Sequence, residues 1–229
     1  MRQIEAAWLG AWLAERATDE VSPVLEIGSS SLRFRTIEKP HIETLVHAPL
    51  RARDVRIVTA DIRDEDGVEI VGDVFDAEVQ ARLRAVGART LLLCNLFEHL
   101  VDPQRFAKVC QDLVAPGGLI IVTVPHDYPY HLDPIDTLFR PDVAEIHRLF
   151  PGTELVEGKI LVDGGRWTDL RKRHGSVLKT LAAIAGDWAR MITLRGGVDR
   201  ARSRLSAQRY LFRTYKIAAA ILRVPPQPT

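Results

Sequence analysis

The chain has 229 residues, 46% of them hydrophobic, enough for one substantial buried core with a possible appendage. Its net charge of +1 hides an asymmetry: from Arg166 onward 14 Lys and Arg face three Asp, while the preceding residues carry 17 basic against 27 acidic side chains. Two cysteines, Cys94 and Cys110, with no CxxC spacing, exclude a disulfide scaffold, a zinc finger and a redox motif, and favour a reduced cytoplasmic setting.

In chain order, residues 1–20 place Trp8, Leu9, Trp12 and Leu13 among charges, the pattern of an amphipathic helix rather than a cleaved leader. Val24-Leu25-Glu26-Ile27 predicts a buried strand, ended by Gly28 and the turn Ser29-Ser30-Ser31. The dinucleotide fingerprint G-x-G-x-x-G is absent there: Ser30 and Ser31 stand in the turn and Arg33 takes the place of the last Gly, which argues against an NAD enzyme. Residues 54–60 and 68–71 predict further strands, closed by Asp61 and Gly72-Asp73, and 77–86 has helical spacing. Residues 90–94 are an unbroken apolar strand, 103–114 a helix stopped by Ala115-Pro116-Gly117-Gly118, and 119–124 a fifth strand. A helix is expected over 141–150, a sixth strand over 154–162 and a further strand over 215–224. Between the last two lies a basic helical stretch, 177–194, too charged and broken to cross a bilayer.

Strands alternating with helices imply an α/β, Rossmann-like, doubly wound, mostly parallel seven-stranded sheet with helices on both faces, plus a basic C-terminal helical insertion. The expected division is 1–165 core, 166–213 insertion or lid, and 214–229 closing strand and tail. In such a sheet ligands sit beyond the carboxyl ends of the strands. The loop after strand five is dense in chemistry, with His126, Asp127, Tyr128, Tyr130, His131, Asp133 and Asp136 within twelve positions. Its His and Asp are metal-ligand types but lack a regular spacing, so no metal site is expected; Asp133-Pro134 and Asp136-Thr137 also read as turn and helix-cap signals.

The strings LEIGSSS, VGDVFD, LLLCNLFEHLVDP and APGGLIIVTVP, in that order, resemble the S-adenosylmethionine (SAM) binding domain of class I methyltransferases of the type 11 group, over about residues 20–165. The resemblance implies SAM as cofactor, with Glu26, Gly28 and Ser30 at the methionine end, Asp61 on the ribose hydroxyls, Asp73 on the adenine amino group with Val74 and Phe75 beside the ring, and Asn95 touching the cofactor from the fourth loop. Asp61 lies 33 residues beyond Gly28, against the ~20 usual in dinucleotide units, so the intervening segment must accommodate extra chain. Asp73 also has the composition of a helix cap, and Glu98 and His99 of a short helix holding the loop.

The implied activity is methyl transfer by direct displacement to an oxygen of a small-molecule or saccharide-like acceptor. His131 serves as the base, with Asp127 and Asp136 as alternates or orienting partners. Two alternatives stay open: a noncatalytic binding or scaffold protein whose serine turn has lost the cofactor, and a metal-assisted transferase. The basic tail offers three readings: a peripheral contact with the inner membrane surface, a lid, or a packing face. Nucleic acid is not expected, since no recognition motif accompanies the charge.

Overall fold

The computed structural model describes residues 1–132, 135–193 and 196–226. Asp133-Pro134 and Leu194, singled out above, lie outside them. The strands β1 (Val24–Ile27), β2 (Ile57–Asp61), β3 (Ile70–Val71), β4 (Ala88–Cys94), β5 (Val114–Asp127), β6 (Glu154–Asp163) and β7 (Tyr215–Arg223) form one sheet in the order β3-β2-β1-β4-β5-β7-β6. β7 runs antiparallel to β5 and β6; the other pairs are parallel. The order reverses beside β1, so β1 and β4 flank the crevice of a doubly wound sheet.

Side-chain alternation explains why helices cover both faces. Leu25, Ile27, Leu91, Leu93, Ile120 and Val122 point to one side. There they bury Leu83 of α5 (Ala77–Arg84), Phe106 and Cys110 of α6 (Pro103–Gln111) and Ile146 of α7 (Val143–Leu149). Val24, Leu92, Leu119 and Ile121 point to the other side, against Ala6, Leu9, Trp12 and Leu13 of α1 (Gln3–Ala14), Val21 of α2 (Thr18–Val21) and Leu50 of α4 (Ala48–Arg51). A strand buried on both faces needs a continuous apolar run, which 91–94 of β4 and 119–122 of β5 supply.

The boundaries differ from the sequence pattern where tertiary pairing overrides it. β3 shrinks to two residues, and β5 begins at Val114, so Pro116-Gly117-Gly118 lies within its run instead of ending α6, which stops at Gln111. Neither Asp73 nor Asp136 caps a helix. Asp76 caps α5 through the Glu78 and Val79 amides, and Asp142 caps α7 through the Glu145 amide. The extra chain between β1 and β2 is taken up by two π-helical turns, Phe34–Glu38 and Glu43–His47, around the short α3 (Pro40–Ile42). Between β6 and β7 the chain makes α8 (Arg166–His174), α9 (Val177–Ile192) and α10 (Val198–Gln208). α9 continues through Gly186 and Asp187 without a break.

Candidate active site

A cavity of about 870 Å³ opens at the carboxyl ends of β1, β2, β4 and β5. Glu26, Gly28, Ser30, Asp61, Asp73, Val74, Asn95 and His131 all line it. Asp127 and Asp136 do not.

The turn after β1 is held from three sides. The Gly28 and Ser29 amides donate to the Ala60 carbonyl at 2.9 and 3.2 Å. The Ser30 amide donates to Asp61 Oδ2 at 3.0 Å, and the second oxygen of Asp61 accepts the Arg63 amide at 3.1 Å. Beneath the turn lies the buried guanidinium of Arg35, which donates to the carbonyls of Ser29 (3.2 Å), Ser30 (2.9 Å) and Gly67 (3.0 Å). Gly28 has φ +76°, and a Cβ there would stand 3.0 Å from Leu96 Cδ1. Ser30 takes φ +58°, a left-handed conformation that costs an L-residue ~1–2 kcal/mol and that glycine enters freely. The serine therefore keeps the backbone path a second glycine would give. Among the described residues its hydroxyl has no partner.

Glu26 is buried with Oε2 3.0 Å from His47 Nε2, out of hydrogen-bond alignment, so this oxygen lacks a well-formed donor. Asp61 is likewise buried, with two lone-pair positions already taken; a carboxylate has about four. Asp73 is exposed and uses Oδ1 to accept the Phe75 amide at 2.9 Å, leaving Oδ2 free among the described residues. Val74 and Phe75 form an apolar wall with Phe106, whose ring meets Phe75 edge-on at 6.4 Å. Asn95 sits at φ +52° and turns its amide away from the turn, to Glu5 Oε2 at 2.6 Å and Thr123 Oγ1 at 3.2 Å.

The far end of the cavity is built from the loops after β4 and β5. His131 Nδ1 lies 3.2 Å from Asp136 Oδ2, which also accepts the His131 amide at 3.0 Å and Arg140 Nη2 at 2.6 Å. Burial lowers the His131 imidazole below its ordinary value, and the Asp136 carboxylate opposes that shift. Burial works to raise Asp136, but the Arg140 guanidinium and the His131 and Leu138 amides more than offset it and hold the carboxyl low. Asp136 thus orients His131 and touches nothing in the cavity. His99 stands beside His131, ring centroids 5.6 Å apart, and Glu98 is fully buried on the same short turn, Phe97–His99. Burial pushes the Glu98 carboxyl up to about 7. Its backbone carbonyl accepts both the amide (2.9 Å) and the hydroxyl (3.0 Å) of Thr137, so this residue does hold the loop, as its sequence position suggests.

Asp127 must be removed from the candidate catalytic group. Its carboxylate accepts the Tyr210 hydroxyl at 2.7 Å and Arg213 at 3.2 Å, tying the end of β5 to the chain that follows α10. A second tie to α10 is Tyr130, whose amide donates to Ser206 Oγ at 2.8 Å and whose carbonyl accepts from Ser203 Oγ at 3.2 Å.

Glu5 and Arg35 were not foreseen. Glu5 carries one usable signal, its place three residues beyond Arg2 in a capping box at the start of α1. Arg35 carries none, because nothing local marks an Arg for burial under a turn five and six residues upstream.

No family model matches the sequence, and no curated protein matches it. Solved structures do. A candidate sarcosine dimethylglycine methyltransferase from Galdieria sulphuraria superposes with a TM-score of 0.56 at 12% identity, over 98% of this chain and 85% of that one. The fold is that of class I SAM-dependent methyltransferases. The cyclase SpnF aligns at TM-score 0.51 and 16% identity over 96% of this chain and 81% of its own. Coclaurine N-methyltransferase, solved with N-methylheliamine and S-adenosylhomocysteine (SAH), aligns at 0.50 and 13% over 96% and 72%. A methyltransferase fold that also carries a cyclase leaves activity to be argued from the site.

Proposed function

We propose that the chain is a SAM-dependent methyltransferase acting on an oxygen of a small, saccharide-like acceptor. The observation that carries this reading is the intact turn: Ser30 holds the left-handed conformation, pinned by Asp61 and Arg35, with its hydroxyl free. The donors and acceptors around the cavity fit the cofactor. Ser30 and the orphaned Glu26 oxygen suit the amino acid end, Asp61 the ribose diol, and Asp73 with the Val74–Phe75 wall the adenine. The volume falls within the ~300–1,000 Å³ of small-molecule sites. When bound, the cofactor supplies a methyl group on a sulfonium, open to direct displacement by a nucleophile.

At the other end, Tyr128 offers a ring face beside the polar groups of His99 and His131, the mixture that an acceptor with hydroxyls on an apolar ring requires. With Nδ1 turned to Asp136, His131 keeps the Nε2 lone pair for the acceptor hydroxyl and takes its proton.

The test is calorimetric titration with SAH and a thermal melt. At 100 times Kd a one-site ligand stabilises by ~2.7 kcal/mol, which for a chain of this size raises Tm by roughly 5–11 °C. No heat and no shift would return the chain to the noncatalytic scaffold reading.

We also propose that α8–α10 form a lid that rests on an anionic membrane, placing the protein at the cytoplasmic face. Trp188, Met191, Ile192, Val198, Ala201 and Leu205 line an apolar groove on α9 and α10, with Ile192 79% and Val198 70% exposed, and Arg190 and Arg200 follow on the same helices. No described helix is long and apolar enough to cross a membrane.

A further inference from the structure

Three ligating groups converge at the acceptor end of the cavity: the Glu98 carboxylate and the rings of His99 and His131, with one candidate atom from each within 4.8 Å of the others. Each is prepared differently. Glu98 is 1% exposed, and its Oε2 has no hydrogen-bond partner although the residue lines the cavity; a buried carboxylate oxygen in that condition is costly unless something cationic meets it. His99 turns Nδ1 to the Ile135 carbonyl, and its Nε2 is 3.8 Å from Glu98 Oε1. His131 turns Nδ1 to Asp136 Oδ2 at 3.2 Å and to the Pro129 carbonyl at 3.4 Å. A ring whose Nδ1 faces a carbonyl or carboxylate carries its proton there and presents Nε2 as a lone pair. This outer support is what metal-binding histidines use to fix their tautomer. Asp136 is itself clamped by Arg140.

We infer that Glu98, His99 and His131 form a divalent transition-metal site at the acceptor end of the cavity. Two imidazoles and one carboxylate suit Mn2+, Fe2+, Co2+ or Zn2+; Mg2+ and Ca2+ prefer oxygen ligands alone. Bonds of about 2.0–2.2 Å place the ligands of one ion ~3–4.4 Å apart, close to the spacing found here. The three protein ligands leave coordination positions for water or an acceptor oxygen. The site rests on the methyltransferase reading only for its use. A hydroxyl bound to such a cation releases its proton to water at a much lower pH than a free alcohol, so His131 serves the loaded protein as a ligand and the cation replaces it in activating the acceptor.

The experiment is calorimetric titration of the full chain, stripped with chelator, with Zn2+, Mn2+ and Mg2+, in parallel with SAH. Expected are one Zn2+ or Mn2+ per chain and a far weaker response to Mg2+. Glu98→Gln and His99→Ala should each lower the affinity more than tenfold while SAH affinity stays within twofold of the parent. Asp127→Asn, outside the cluster, should bind metal like the parent. Equal metal binding by the Glu98→Gln/His99→Ala double variant, or none by the parent, overturns the site. Loss of SAH binding by the parent with metal binding intact overturns the methyltransferase reading and leaves the site standing.

Discussion

Replacing Arg35 by Met keeps most of the side-chain stem and deletes the fork beneath the serine turn. Three carbonyls, of Ser29, Ser30 and Gly67, then lose a charged donor. The Gly67 carbonyl keeps the Thr59 hydroxyl at 2.8 Å. Each of the other two acceptors left unpaired costs ~1–3 kcal/mol, which bounds the loss at roughly 6 kcal/mol. Two effects reduce it: the variant no longer buries a guanidinium, and water can enter the vacated polar space. A net destabilisation of about 2–4 kcal/mol is expected by urea denaturation. The second effect falls on binding. Ser30 loses a contact that holds its left-handed backbone, a conformation disfavoured by ~1–2 kcal/mol, so the empty turn relaxes and SAH affinity drops about tenfold, equivalent to ~1.4 kcal/mol. Arg35→Lys keeps the charge without the fork and should fall between parent and Met. Should Arg35→Met unfold within ~0.5 kcal/mol of the parent and bind SAH equally well, the guanidinium does not shape the turn and the reasoning fails.

Gly28→Ala meets both a positive φ and the Leu96 side chain, so stability should fall by ~1–2 kcal/mol and SAH affinity with it; an unchanged melt shows that the turn adapts. Asp73→Ala, at an exposed position, should weaken SAH binding by ~1 kcal/mol with little change in Tm; equal affinity removes the adenine assignment. Burial pushes the Cys110 thiol well above its ordinary value, so iodoacetamide at pH 8 should leave it unlabelled until urea unfolds the chain, and fast labelling of Cys110 in the native protein contradicts that burial. Ile192→Asp should release the protein from phosphatidylserine vesicles in a flotation assay while leaving SAH binding unaltered. If the parent itself does not float with them, the membrane contact is wrong.

Much of the architecture was legible because doubly buried parallel strands leave a plain trace. β4 and β5 carry continuous apolar runs at 91–94 and 119–122, and the acidic or glycine residues at the ends of β1, β2 and β3 mark the ligand edge. That residues at the strand ends line one cavity was legible for the same reason, since backbone ends and their flanking residues follow from strand order. What stayed hidden depends on distance in the chain. Glu5 reaches Asn95 across 90 residues, and Arg35 acts through carbonyls, which carry no side-chain signature. The loop after β5 misled at Asp127 because density of reactive types does not say which way each points. Its partner Tyr210 lies 83 residues further on. The Glu98–His99–His131 cluster likewise joins two loops, so no spacing rule within either could reveal it.

The last residue of β6 and the first of β7, Asp163 and Tyr215, are register partners in the ladder. Everything between them is therefore, topologically, the loop of one hairpin, and it both leaves and re-enters the sheet at the edge where the cavity opens. Lengthening or pruning such a loop costs little: cutting about 50 residues to five changes closure entropy by only ~2 kcal/mol, in the favourable direction. Residues 164–214 are thus a span whose length can change without shifting the register of any strand.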